Sequence, residues 1–312
     1  IKIFDMKFFV TGGAGFIGRH LCEFLLANNH QVTIFEDFSN SNEKNIKNIC
    51  ENGALVIEGD LSDYLLLEKS VKDFDFVIHL AAKIDILESI SNPEISNKVN
   101  VEGTINILRA CVKNNIKNII AASSAAVYGN SKIIPVNEDS IPNPVSPYGA
   151  DKLSMEFYLR AFANAFNLNT ISLRFFNVYG NGQSNAYAGV ITKFLKNIHE
   201  NRTIEIFGDG KNTRDYVFID DLIHGIIQAI KNIQGQRGTV YNLGSGKSTS
   251  VTDLALLMLK ISNKKLEINY KSPRPGDLLF SEVEISKAKN ELKFFPKFNL
   301  ELGLTKLLQE ME

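Results

Sequence analysis

The sequence predicts an α/β fold, a doubly wound parallel sheet followed by a smaller C-terminal α/β lobe, and three observations carry that expectation. Six short apolar runs punctuate the first half: KFFV, QVTIFE, ALVIEG, DFVIHLA, NIIAAS and TISLRF. Each is followed by a helical or loop stretch, which is the rhythm of βαβ units. Runs this apolar suit strands covered on both faces by helices, because successive side chains point to opposite sides of a sheet. After residue 180 the pattern changes. A Gly/Asn/Ser stretch, GNGQSNAYAG, leads into a helix, the turn FGDG, and two further helical segments with PRPG between them. At 312 residues the chain suffices for one large or two interlocked domains, taking about 150 residues per domain.

Composition excludes several classes. The 34 Lys+Arg and 35 Asp+Glu give a net charge of −1, with no block of like charge, so nucleic acid is disfavoured as a partner. Cys22, Cys50 and Cys111 are too few and too dispersed for a disulfide framework or a zinc ribbon and read as reduced core residues. No apolar run nears the roughly 20 residues of a membrane span. A cytoplasmic protein without membrane contact is expected. The histidines at 20, 30, 79, 199 and 224 lack metal-ligand spacing, so no metal is expected, and His79 should pack at the end of its strand. Asp220 and Asp221 begin a helical stretch, where carboxylates suit the positive end of the dipole, and read as caps.

The first run passes directly into Thr11, Gly12, Gly13, Ala14, Gly15, Phe16, Ile17 and Gly18, and then into a helix. Glycines at such a turn let backbone amides and the helix N-terminus approach a pyrophosphate that a Cβ would obstruct. A tight turn without a ligand would use the same glycines. The second run, however, ends in Glu36 and Asp37, where a carboxylate can accept hydrogen bonds from ribose hydroxyls and would repel a 2′-phosphate. Strand, glycine loop, helix and acid predict a Rossmann-type sheet that binds NAD.

Pro147 opens a stretch of helical periodicity that sets Tyr148 and Lys152 four residues apart, on one helix face. With a reference pKa near 10, tyrosine is phenolate in about one molecule in a thousand at pH 7. A nearby ammonium and an oxidised nicotinamide both favour the charged form, which would make Tyr148 a general base. Ser124 closes the run IIAASS. At the carboxyl end of a parallel strand its hydroxyl can reach a substrate oxygen.

Together these residues resemble the extended short-chain dehydrogenase/reductase family, in its NAD-dependent nucleotide-sugar (UDP-hexose) 4-epimerase branch. The resemblance runs from Met6 through TGGAGFIG, GDLSD, HLAA, NVEGT, SSAAVYG, YGADK, RFFNVYG, FGDGKNTRDYVFIDD, YNLGSGK and PRPGD. It implies that residues 6–180 form an NAD-binding domain, to which segments near 214–245 return, and that residues 181–312 form a nucleotide-sugar-binding lobe. It places Gly12, Gly15, Phe16, Ile17, Gly18, Glu36, Asp37, Asp60, Leu61, Leu80, Ala81, Ala82 and Asn100 along the cofactor, and Ser124, Tyr148 and Lys152 at the chemistry. Asn177, Val190, Phe207, Arg214, Arg274, Asp277 and Ser281 fall at the substrate. Arginine forks suit a diphosphate, since they match phosphate oxygens two at a time.

Departures from the family pattern narrow the reaction. Related 4,6-dehydratases carry an Asp-Glu pair where this chain has Ala125 and Ala126, and related decarboxylases use a glutamate at the second of these positions. What the resemblance leaves is oxidation and reduction at one carbon, as in 4-epimerisation of UDP-glucose and UDP-galactose. Ser281 stands where the branch limits the size of the group on sugar C2. A small residue there admits UDP-N-acetylhexosamines as well. A one-way 4-dehydrogenase or 4-keto-sugar reductase would use the same residues, and a non-catalytic NAD(H) sensor the same fold. The helices after Asn97 and Pro147 pair two copies in relatives, which implies a homodimer.

Overall fold

The computed structural model describes residues 5–183, 189–273 and 280–310. The six apolar runs form β1 (Lys7–Thr11), β2 (Gln31–Glu36), β3 (Leu55–Glu58), β4 (Phe76–His79), β5 (Asn118–Ser124) and β6 (Asn169–Phe175). Short strands follow: β7 (Asn177–Tyr179), β8 (Ile204–Phe207), β9 (Thr213–Phe218), β10 (Arg237–Leu243), β11 (Ser248–Ser250), β12 (Ile268–Lys271) and β13 (Phe280–Ser281). The main sheet has the order β10-β6-β5-β4-β1-β2-β3, and every pairing in it is parallel. From β1 the chain winds outward through β2 and β3, then returns to β4 on the other side. Loops diverge at that reversal and leave a crevice above the strand ends.

The alternation within strands explains why their sequences are apolar throughout. Phe8, Val10, Phe76, Ile78, Ile120 and Ala122 enter one core, with Leu21, Cys22 and Leu25 of helix Phe16–Ala27. Phe9, Val77, Ile119 and Ala121 enter the other, with Ile107 and Cys111 of helix Gly103–Lys113 and Met155 and Leu159 of helix Pro147–Phe166. Cys50 departs from the expectation of three core cysteines. It is exposed, because the single-turn helix Lys47–Glu51 gives its inward position to Ile49.

At the end of β4, His79 ties the two central strands together. Its Nδ1 lies 2.7 Å from Thr11 Oγ1 and its Nε2 lies 3.0 Å from Thr104 Oγ1. The Thr104 hydroxyl already donates to the Asn100 carbonyl, so it accepts from His79 and the ring proton sits on Nε2. Burial pushes the His79 pKa down to about 3.

The second region is built from small pieces. β9 pairs antiparallel with β11 and parallel with β7 and β13, while β8 pairs with β12 alone. Asp220 and Asp221 do lie in the first turn of helix Ile219–Lys231, yet neither caps it. Asp221 accepts from the backbone N–H groups of Lys297 and Phe298 at 2.8 and 2.9 Å, and Asp220 meets Lys306 at 2.6 Å. The carboxylates anchor the C-terminal segment instead. Among the described residues, no helix is long and apolar enough to cross a membrane.

Candidate active site

Above the reversal between β1 and β4 lies a groove of about 400 Å³. Gly12, Gly15, Phe16, Ile17, Gly18, Glu36, Asp37, Asp60, Leu61, Leu80, Ala81 and Ala82 line it, and so do Ser124, Tyr148 and Lys152. The chain therefore brings the glycine loop and the tyrosine-lysine pair to one cavity. Gly12 has φ +70°, and a Cβ there would fall 2.6 Å from the Ala81 nitrogen. Helix Phe16–Ala27 starts at Gly15 with no capping side chain and no acid in its first turn, which leaves its first amides open to an anion. The groove fits a dinucleotide in its residues and its electrostatics.

Glu36 is buried and folds beneath the glycine loop, where its Oε2 accepts from the Ala14 N–H at 3.0 Å. Burial raises its pKa, and that hydrogen bond opposes the rise. Asp37, next along, is exposed and accepts from Ser39 N–H. Asn100 is buried. It does not line the groove; its amide brackets Lys83, accepting from that residue's N–H and donating to its carbonyl, both at 2.9 Å. It acts on the site by holding the loop that contains Ala81, Ala82 and Lys83.

Helix Pro147–Phe166 starts cleanly because Ser146 caps it through the Gly149 N–H and Pro147 takes the first position. That start sets Tyr148 and Lys152 against the end of β5. Ser124 and Tyr148 line the same end of the groove, while Lys152 Nζ donates to the Ala122 carbonyl at 2.8 Å. Burial holds the phenol above the ordinary tyrosine pKa, and Ser124 offsets part of that rise. The expectation that Lys152 lowers it is not met by the protein groups alone. One donor of the ammonium goes to Ala122, and burial pushes its own pKa down to about 8.

Beneath these residues runs a buried polar chain. Glu156 lies one helical turn beyond Lys152 and takes two hydrogen bonds from Arg174, at 2.8 and 2.7 Å, and one from Ser123. Arg174 also donates to Tyr128, whose hydroxyl reaches Asn242. The catalytic helix is thus fixed to β5, β6 and β10 by charge-assisted bonds.

Of the expected substrate residues, Ser124 and Tyr148 line the groove, while Asn177, Val190, Phe207, Arg214 and Ser281 are not among its lining residues. Asn177 donates to the Asp215 carbonyl at 2.9 Å, and Ser281 is in register with Arg214 across β13 and β9, so those three share one small sheet. Val190 starts helix Val190–His199, and Phe207 ends β8. Arg274 and Asp277 lie outside the described residues. Asp215 is fully buried, and its carboxylate receives the N–H groups of Ser245 and Lys247 at 2.6 and 2.9 Å; burial pushes its pKa up to about 6. The groove also takes in Asn40, Lys83, Val178 and Gln183, which sequence reasoning missed. For Asn40 the signal was present as the run SNSN after the acid pair.

Comparison with known proteins agrees with this architecture. The family model described as the NAD dependent epimerase/dehydratase family matches residues 8–244. A putative UDP-glucose 4-epimerase of Methanocaldococcus jannaschii is 36% identical over 306 residues, covering 97% of both chains. The crystal structure of a Thermotoga maritima UDP-glucose 4-epimerase with UDP-glucose superposes with a TM-score of 0.93 at 34% identity, covering 98% of each chain. A UDP-N-acetylglucosamine 4-epimerase from Methanobrevibacter ruminantium, in complex with UDP-N-acetylmuramic acid, gives 0.93 at 33% identity and 99% of each chain.

Proposed function

This chain belongs to the NAD-dependent epimerase/dehydratase family, and from that premise we propose that it epimerises a nucleotide-diphosphate sugar at C4, with UDP-glucose and UDP-galactose as substrates. The observation that carries the reading is the meeting of Ser124, Tyr148 and Lys152 with the glycine loop in one groove. The glycine loop, Glu36 and Asp37 would hold NAD there, and the nicotinamide would supply the hydride acceptor and donor for sugar C4. Tyr148 accepts the proton of the 4-hydroxyl and later gives it back. Ser124 shares that hydrogen bond, and Lys152 supplies positive charge beside it. Arg214, with Arg274, holds the diphosphate, so the 4-keto sugar turns over without leaving.

Epimerisation is favoured over dehydration by where the acids stand. Among the described lining residues the carboxylates are Glu36, Asp37 and Asp60. Glu36 ends β2, which lies three strand positions from β5, or about 14 Å at the usual spacing. Beside Ser124 the chain offers only Ala125 and Ala126. Water elimination has no acid there to drive it.

The small side chain of Ser281 admits UDP-N-acetylhexosamines as further substrates. We place the protein in the cytoplasm, where its three free cysteines persist as thiols. A second copy of the chain pairs on the helices after Asn97 and Pro147, where Phe157 of the latter is 51% exposed. Incubation with UDP-, dTDP- and GDP-sugars without added nicotinamide, followed by separation of epimers, tests the reading. UDP-galactose formed from UDP-glucose supports it. A requirement for stoichiometric NAD⁺ or NADH points instead to a one-way dehydrogenase or reductase.

A further inference from the structure

We propose that Arg19 is a positioning residue that latches the loop 180–183 across the groove and slows release of the dinucleotide; the proposal rests on reading the groove as an NAD site. Phe16, Arg19 and His20 occupy one face of helix Phe16–Ala27, at spacings of three and four residues. That face meets the loop. Arg19 Nη2 donates to the Asn181 carbonyl at 2.9 Å, and His20 Nε2 reaches the same oxygen at 3.0 Å. A carbonyl only accepts, so both are donors and both lone pairs of the oxygen are taken.

The loop is shaped for this contact. Gly182 has φ +79°, and a Cβ there would fall 1.1 Å from Arg19 Nη2, so the glycine leaves the seat that the guanidinium fills. At Gly180 an added Cβ would meet Ile219 at 2.4 Å and Phe16 at 3.5 Å. The loop therefore lies flat against the first turn of the very helix that receives the pyrophosphate. One residue on, Gln183 lines the groove and takes a hydrogen bond from Thr192 at 2.9 Å. Latching by Arg19 thus fixes a wall of the groove from outside it. Arg19 does not line the groove, so it contributes nothing to the proton transfer assigned to Tyr148.

The test is the rate at which bound NADH is released into excess NAD⁺, followed by the fluorescence of the bound form. Arg19→Ala should release it about ten-fold faster, the effect of losing one charge-assisted hydrogen bond. Arg19→Lys, which keeps one donor, should fall between. Gly182→Ala expels the guanidinium from the other side and should match Arg19→Ala, and the double variant should be no faster than either alone. Release at the wild-type rate from Arg19→Ala, or effects that multiply in the double variant, overturns the latch. Failure of the wild-type protein to bind NADH overturns the cofactor reading, and the latch with it.

Discussion

Tyr148, Lys152 and Ser124 stand on a helix and a strand end joined by a buried ion pair, Glu156 with Arg174, and by Ser123. Asn177, Arg214 and Ser281 stand on three short strands held by a few ladder pairs and by the buried carboxylate of Asp215. The first region admits little displacement, because any shift of the helix strands charge in the core. The second can be reshaped by exchanging single residues at strand ends. Such a division suits an enzyme whose proton transfer must be placed closely while its sugar specificity varies.

The comparison is broken most severely at Tyr148. Tyr148→Phe removes the group proposed to take the 4-hydroxyl proton, and turnover should fall by about 10³-fold or more, with NADH binding retained. Near-normal turnover would remove Tyr148 from the chemistry. Next in size is the ion pair. Arg174→Met leaves the Glu156 carboxylate buried without its partner and should cost about 3–5 kcal/mol in a denaturant titration, much of it recovered in Arg174→Met combined with Glu156→Leu. An equal cost in the double variant would mean that packing, and not charge, fixes the helix.

The pH dependence separates the regions by sign. His79 has its folded pKa depressed to about 3, below the ordinary value near 6.5. Its contribution is full above pH 6.5 and is lost as pH falls toward 3, by up to about 1.4 kcal/mol per pH unit. Asp215 has its folded pKa raised to about 6. There the folded state holds the proton more tightly, so its contribution is full below about pH 4 and is lost as pH rises through 6. His79→Gln should flatten the acid limb of stability and Asp215→Asn the limb between pH 4 and 6, each measured by denaturation against wild type. The smallest expected effect is at Ser281. Ser281→Tyr should lower activity on N-acetylated against plain hexoses by about ten-fold, a steric loss of a few methyl groups' worth of space; an unchanged ratio would remove Ser281 from specificity.

What the sequence made legible follows the same divide. The glycine loop, the acid pair and the Tyr148–Lys152 spacing are short-range patterns, and the six strands of the first half came from runs of apolar residues. The pieces around Arg214 were harder to read, since the strands that flank β9 have only two or three residues and carry no periodicity, and Ser281 meets Arg214 only through a ladder between distant segments. At Asn100 a motif shows which residue is present and not that its amide holds the Lys83 backbone. The electrostatics of Tyr148 was the instructive failure. Helix spacing showed that Lys152 shares its face, but only the fold shows that one donor of the ammonium goes to Ala122. Burial raises the pKa of the phenol, with Ser124 opposing the rise, and an oxidised nicotinamide bound beside it would favour the charged form further.

The most direct test of the central claim is the fate of a label at the reacting carbon. UDP-glucose carrying deuterium at C4 is converted without added nicotinamide, and the epimer is examined by mass spectrometry and NMR. Retention of deuterium at C4 of the product, with no net NADH, is the result expected if one bound cofactor removes and returns the hydride while Tyr148 handles the proton. Loss of the label to solvent, or accumulation of NADH, would contradict it.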